Sequence, residues 1–230
     1  MNQASRIRRF SHRHSVQVSY ALASDQNVYG IRDLYTPVTN LNNWMQNVGP
    51  NSPRHILNFS GVVEAPGGVQ VSFISSFNSK LPFQPIITGT DFYGTGIDEF
   101  LLPGSGTNQF NFGLGKSDLV RLVNQYNQTY AGKTGPNPLQ IFPTITLPQN
   151  FSTGHVFSSQ DIRVTKLFKI AERLQWQVFG EVFNVLNTAN LSGYQDNLLA
   201  PGFGQPTARF SSIFGTGGPR SFQLGTRLSF

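Results

Sequence analysis

The 230 residues contain no cysteine. That excludes a disulfide framework, a thiolate nucleophile and thiolate-bound metal. Charged residues make up only 12% of the chain, about half the usual share. The apolar fraction of 38% is low for a globular core. No run of about 18 apolar residues exists, so no helix is written into the sequence that could cross a bilayer. The opening MNQASRIRRF is basic but has no apolar stretch, so it is not a secretory leader. An envelope location would therefore place the leader outside these residues. The chain also lacks a P-loop, a dinucleotide-binding glycine motif, a nucleophile elbow and a Ser-His-Asp pattern, and catalysis is not expected. His12, His14, His55 and His155 are too dispersed for a zinc site, which needs three or four convergent ligands. His12 and His14 share a strand face and could pair, but they read as a solvated rim. The net charge of +6 raises a nucleic-acid partner. The cations gather at Arg6, Arg8, Arg9 and Arg13 and are otherwise scattered, without the basic stripe that such a partner requires. Neither cofactor nor nucleic acid is expected.

What the chain has in quantity is Ser, Thr, Asn, Gln and Gly, together with 20 Phe. Neutral polar groups and aromatics in this balance fit a membrane barrel with a polar lumen and aromatic girdles. They also fit a secreted β-sandwich or a fibre adhesin.

Patterning points to the barrel. In the last ten residues Phe222, Leu224, Leu228 and Phe230 alternate with Gln223, Gly225, Arg227 and Ser229, as in a strand with one apolar and one wet face. Five more segments alternate likewise: Ser15 to Leu22, Ile56 to Glu64, Val69 to Phe77, Ile162 to Ile170 and Leu174 to Val182. Each is near the roughly 9–11 residues that a tilted strand needs to cross a membrane.

The connections sort by length. Ala65-Pro66-Gly67-Gly68 and Lys169 to Arg173 are short. Ala23 to Pro53, Asn78 to Gln160 and Phe183 to Arg220 are long. Short turns on one side and long loops on the other are the pattern of an outer-membrane barrel with short periplasmic turns. With a periplasmic C-terminus, every short turn falls on the periplasmic side. The fold expected is all-β: an antiparallel transmembrane β-barrel segment of about six strands. Such barrels start at about eight strands, and an open edge in lipid leaves backbone groups unsatisfied at several kcal/mol each. The segment therefore reads as the closing end of a larger barrel, residues 1–230 forming one unit with the missing strands ahead of Met1. A soluble sandwich remains the third reading; it expects Val16, Val18 and Tyr20 to pack on Trp176 and Val178.

Within the longest loop, Ser117-Asp118 followed by Leu119, Leu122, Val123 and Tyr126 predicts a capped amphipathic helix, ended by Gly135-Pro136-Asn137-Pro138. This loop is the expected contact with the outside. Asp91 to Asp98 looks like a degenerate calcium loop, but Tyr93 and Thr95 stand where ligands belong, so a glycine turn is the plainer reading. Glu64, Arg163, Lys169, Glu181 and Arg227 fall on the polar faces, as a hydrated ion-pair lattice or as substrate contacts. Lys166 falls on the apolar face, where a cation costs about 2–4 kcal/mol at midplane and little at the interface. Its closeness to the turn at 169–173 implies an interfacial position with its stem snorkelling.

The stretches RRFSH at 8–12, VQVSY at 16–20, SPRHILNFSG at 52–61, DIRVTKLF at 161–168, EVFNVLNTAN at 181–190, FG at 203–204 and SFQLGTRLSF at 221–230 have a common resemblance. Together they resemble the C-terminal barrel portion of TonB-dependent outer-membrane receptors, most nearly the Oar-like subgroup with its carboxypeptidase-regulatory-like N-terminal domain. The block from Asp161 to Asn190 is the most specific. The resemblance implies energised uptake of a small molecule or peptide, or surface adhesion or secretion, at the outer membrane. It also implies that Phe222, Leu224, Leu228 and Phe230 form a signal read by the barrel-assembly machinery. The family's plug and TonB box have no counterpart in these residues, so coupling to the TonB system would run only through an upstream plug. The two functions separate on that coupling: uptake needs it, and an adhesive anchor does not.

Overall fold

The computed structural model describes residues 2–11, 13–28, 48–94, 96–209 and 217–230. The strands before the helix are β1 (Asn2–Ser11), β2 (His14–Leu22), β3 (Gln26–Val28), β4 (Val48–Pro50), β5 (His55–Ala65), β6 (Val69–Asn78), β7 (Ile86–Thr88) and β8 (Glu99–Leu101). Helix α1 (Lys116–Thr129) follows, then β9 (Phe157–Lys169), β10 (Gln175–Phe183), β11 (Leu191–Tyr194), β12 (Pro206–Arg209) and β13 (Ser221–Ser229).

Seven strands form one antiparallel sheet in the order β1-β2-β5-β6-β9-β10-β13. The architecture is the all-β, antiparallel barrel wall that the alternation implies, and its six alternating segments are β2, β5, β6, β9, β10 and β13. The strand count is corrected upward. β1 carries no alternation, because Arg6, Arg8 and Arg9 hide any period of two, yet its backbone pairs with β2 from Asn2 opposite Leu22 to Arg8 opposite Val16. β9 also begins earlier than Ile162, because the polar run Phe157–Asp161 continues the ladder with β6.

Among the described residues the short links that follow β1, β5 and β9 lie at one end of the sheet, at residue 13, at 66–68 and at 170–174. The longer connections leave β2, β6 and β10 from the other end. The first turn carries Arg13 at φ 68°, and the second carries Gly67 and Gly68 at φ 80° and 77°. Two successive left-handed residues favour glycine, which has no Cβ to clash.

The buried core is not in the sheet. Phe83, Ile87, Phe100, Leu102, Phe110, Leu119, Leu122, Val123, Tyr126, Phe142, Ile145, Phe151, Leu198 and Phe203 form one cluster, and all come from the connections 79–156 and 184–220. The long loops thus fold into a cap with its own apolar interior, which removes the objection to a structureless loop of that length. The pairs β7–β8 and β11–β12 and the bridges Phe83 to Phe110 and Ile86 to Asn197 frame it. The β3–β4 pair joins the cap closely. Asn108 Nδ2 donates to the Pro50 carbonyl at 3.1 Å. A Cβ on Gly49 would lie 2.2 Å from the Thr107 carbonyl oxygen.

Helix α1 buries Leu119, Leu122, Val123 and Tyr126, the stripe expected from its spacing. Its cap differs from the expected Ser117-Asp118. Gly115 is the N-cap, and Asp118 reaches back from the third helical position to accept the Gly115 N–H at 2.9 Å. That bond, helped by Arg121, holds the Asp118 carboxyl below its ordinary pKa. The helix stops at Thr129, before Gly135. Tyr130 turns into a ring cluster with Phe92 and Phe142, and Gly132 takes φ 78°.

Tyr126 is 1% exposed, and among the described residues its hydroxyl meets no hydrogen-bond partner. Burial pushes its pKa from 10.0 to about 12. A phenol whose folded pKa is raised supports folding fully below its unfolded pKa, and that support is lost as pH rises through the folded value. Tyr126→Phe is expected to leave cap stability unchanged or raise it by up to about 1 kcal/mol at neutral pH, since it removes an unpaired buried hydroxyl. Between pH 10 and pH 12 the unsubstituted cap is expected to lose more stability than the variant. Denaturant titration followed by tryptic cleavage of the cap would check both.

Candidate functional site in the sheet faces and the cap

The ladder registers place the apolar halves of the strands on one face. Tyr20 lies opposite Leu57, and Leu57 opposite Phe77. Val18 lies opposite Phe59. Val71 lies opposite Val164, and Val164 opposite Gly180. Phe168 lies opposite Trp176, and Trp176 opposite Leu228. Within this face Phe73 folds over Gly61, where a Cβ would lie 2.7 Å from the ring, and its ring lies tilted against Phe59 with centroids 5.0 Å apart. The face is apolar and uncovered. Val18, Tyr20, Leu57, Phe59, Val164, Phe168 and Trp176 are all exposed, as are the β13 residues Phe222, at 67%, and Leu224, at 86%. The uncovered apolar surface is on the order of 1,000 Å², against the few hundred Å² that soluble monomers leave in one patch. The sandwich reading is overturned: Val16, Val18 and Tyr20 share a sheet and a face with Trp176 and Val178, so they cannot oppose one another.

Aromatic groups mark both ends of this face. At the short-turn end Trp176 stacks on Phe168 at 5.2 Å and donates from Nε1 to Thr226 Oγ1 at 2.6 Å. At the other end Tyr20 Oη lies 2.8 Å from His55 Nδ1. An aromatic body with a polar tip suits the membrane–water boundary. Lys166 behaves as its place in the sequence implied. It stands in the apolar register between Val69 and Val178, and its ammonium turns to the short-turn end to donate to the Gly67 carbonyl.

The opposite face is mostly Ser, Gln, Asn and Thr, with apolar residues among them that include Ile56, Val62, Ile74, Phe157, Leu167, Phe179 and Phe183. Arg163 and Glu181 are cross-strand neighbours there, and Arg227 lies opposite Gln177. The Arg163 guanidinium sits 3.8 Å from the centre of the Phe179 ring. The same ring covers Gly225, where a Cβ would come within 2.2 Å. A ring placed over a strand glycine restores packing that the glycine lacks.

The sequence block from Asp161 to Asn190 is explained by a polar knot that ties the cap to the sheet. The Asn184 N–H donates to Asp161 Oδ1 at 2.8 Å, and Asn184 Nδ2 donates to the carbonyls of Gly218 and Thr188. Asn190 Oδ1 accepts the Ser158 N–H, and Asn190 Nδ2 donates to the carbonyls of Ser158 and Gly217. Asn184 and Asn187 take φ 48° and 54°, a conformation asparagine tolerates better than most residues. Both Asn184 and Asn190 are buried. Their side chains replace ladder bonds where β9, β10 and β13 pass into loops.

The four C-terminal residues of interest are brought together only in part. Phe222, Leu224 and Leu228 lie opposite Val182, Gly180 and Trp176 on the apolar face, whereas Phe230 follows the last paired residue, Ser229. His14 lies at the short-turn end and His55 at the other; His12 falls outside the described residues, as does Thr95. In the 91–98 turn the Asp91 carboxylate accepts the Gly96 N–H at 2.7 Å. Among the described residues no three His, Cys, Asp or Glu side chains gather as metal ligands.

One feature gave no signal in the sequence. A cavity of about 420 Å³ lies beside the cap core, with Phe83, Ile86, Phe100 and Tyr194 as apolar walls and Glu99, Asp196 and His155 among its polar groups. Its residues come from separate connections, and only the folded cap unites them.

A family model described as an outer membrane beta barrel domain matches residues 2–223. The chain belongs to that family, and its place is the outer membrane. No curated protein and no solved structure matched the chain.

A charge on the apolar face is therefore expected to be penalised, and a charge on the other face tolerated. Phe59→Arg is expected to destabilise the folded sheet by about 2–4 kcal/mol, against about 0–1 kcal/mol for its neighbour Ser60→Arg. Urea unfolding in lipid vesicles measures both.

Proposed function

We propose that this outer-membrane chain is the closing portion of a TonB-dependent receptor barrel of the Oar-like type. It forms part of the wall, the outer cap and the last strand for uptake of a small molecule or peptide, and it carries out no catalysis. The observation that carries the reading is the pairing of an exposed apolar face with a cap folded from the long connections. The cap's cavity of about 420 Å³ is within the range of about 300–1,000 Å³ that small-molecule sites occupy. Energy coupling in this reading passes through a plug supplied from outside these residues. Lipid contacts the apolar face, and the barrel-assembly machinery reads Phe222, Leu224, Leu228 and Phe230, which stand exposed on or beside an edge strand.

A second reading, an adhesive surface anchor without transport, is favoured by a different observation. Residues 132–142 close into a tight finger, with Thr134 bridged to Ile141 and the Gly132 N–H on the Phe142 carbonyl. Leu139, at 91% exposure, and Ile141 stand on it uncovered. A rigid apolar tip suits contact with another surface.

Disruption of the gene, followed by growth on a panel of sole iron, carbon and peptide sources, separates the two. Uptake predicts lost growth on at least one source, restored by the gene and mimicked by a protonophore. Unchanged growth on every source together with lost attachment to surfaces would overturn the transport reading.

A further inference from the structure

Two chambers meet where the cap joins the sheet. The larger is the cavity of about 420 Å³ beside the cap core. The smaller, of about 80 Å³, adjoins it. They share Leu81, His155, Leu191 and Ser192 as walls, so they are neighbouring parts of one space. The smaller chamber sits at the level of the strand ends. Pro53 stands two residues before β5, and Asn78 and Phe157 are the last pair of the β6–β9 ladder, at the end from which the longer connections leave. That is the height at which the apolar face of the sheet ends. Leu81 and Val156 flank the chamber there and are half exposed, at 51% and 52%.

The two chambers differ in chemistry. Around the smaller one Asn190 and Ser79 are already engaged. Asn190 Oδ1 accepts the Ser158 N–H and its Nδ2 donates to the Ser158 and Gly217 carbonyls, while Ser79 Oγ accepts the His55 N–H. Apart from Asn78 and the shared His155 and Ser192, the rest of the wall is Pro53, Leu81, Val156, Phe157 and Leu191. Such a wall favours an apolar group. A volume of about 80 Å³ is below the roughly 150 Å³ of a cavity that holds a benzene ring, so the group that fits is a narrow chain.

The larger chamber has an apolar side, with Phe83, Ile86 and Phe100, and a polar side, with Gln84, Glu99, Ser192 and Asp196. A carboxylate has two oxygens and about four acceptor sites, so Glu99 and Asp196 can accept ligand O–H or N–H groups beside the bonds they already make. Among the described residues no Lys or Arg lines either chamber, although the chain has 17 of them. An acidic ligand group brought there would lose water beside two acids without gaining a counter-charge, which is strongly unfavourable.

We infer that the joined chambers bind a neutral amphiphile, with a head of several hydroxyl or amide groups in the larger chamber and an unbranched alkyl chain in the smaller one at the membrane boundary. The inference deepens the uptake reading by naming a class of ligand, and it rests on that reading's use of the cavity as a ligand site.

The probe is 1-octanoylglycerol carrying a diazirine at the end of its chain, irradiated in native outer membranes that hold the full-length protein, with adducts mapped by peptide mass. Adducts are expected at 79–81, 155–157 and 190–192. Excess unlabelled 1-octanoylglycerol is expected to reduce them about tenfold or more. Octanoate, with the same chain and an acidic head, and glycerol, with no chain, are expected to leave them unchanged. His155→Trp narrows the shared wall from an exposed position, and it is expected to remove the same adducts by a similar factor. Ser192→Trp is the second variant, and resistance of the cap to trypsin shows that each is folded. Adducts confined to the apolar face of the sheet, displacement by octanoate equal to that by 1-octanoylglycerol, or unchanged adducts in both folded variants would overturn the inference. The labelling reads the ligand and the growth panel reads uptake. Labelling as expected without a growth defect would remove uptake and keep the ligand class, and a growth defect without labelling would do the reverse.

Discussion

The backbone's need for hydrogen-bond partners in a medium without water is the constraint on which the rest of this structure depends. Each strand at lipid depth must give all of its N–H and C=O groups to neighbours, and the consequence is a long, regular, antiparallel ladder across seven strands. A regular ladder fixes register, and register fixes faces. A slip of one residue would turn Phe59, Val164 and Trp176 to the polar side and bring Ser60, Arg163 and Gln177 to the lipid. The apolar alternation therefore does two jobs in one pattern: it selects the register, and it supplies the surface that the membrane solvates. Where the regular ladder ends, Asn184 and Asn190 provide the missing partners from their side chains.

The chain consequently uses apolar residues in two opposite ways. In the sheet they stand exposed and are solvated by lipid. In the cap they are buried against one another, with Ile87, Leu102, Phe110, Leu119 and Phe203 fully covered. The cap behaves as a water-soluble module, each large buried side chain contributing roughly 1.5–3 kcal/mol of transfer energy. This division explains how composition can look poor for a globular protein while a real core exists. The core serves only the outer part of the chain, and the wall needs none.

Legibility in the sequence followed the same division. β5 and β6 were plain because Leu57, Phe59 and Val63, then Val71, Phe73 and Phe77, repeat every second residue around a Pro-Gly-Gly turn. The interior of α1 was plain because Leu119, Leu122, Val123 and Tyr126 keep helical spacing. β1 was hidden by Arg6, Arg8 and Arg9, and the start of β9 by its serines. The cap core was hidden for a deeper reason. Phe83, Phe110, Phe151 and Phe203 lie far apart in irregular loops, and no local period marks residues that meet only in three dimensions. The helix cap at Gly115 is not legible because Ser117 and Asp118, two and three residues further on, have the side chains of a cap. The asparagines at 184 and 190 stand out only as part of a resemblance; the left-handed turn at Asn184 and the buried bonds of both required coordinates.

The most direct test of the central claim, that the apolar face meets lipid, uses the absence of cysteine. Single cysteines placed in turn from Leu57 to Val63 and from Val71 to Phe77, labelled with a fluorophore and reconstituted in vesicles, report their surroundings through quenching. The expected result is an alternation: positions 57, 59, 61 and 63 and positions 71, 73, 75 and 77 quenched by brominated lipid, and the positions between them insensitive to it. Equal shielding of the apolar positions from lipid and from aqueous quenchers would mean that they pack on protein, and would contradict the account.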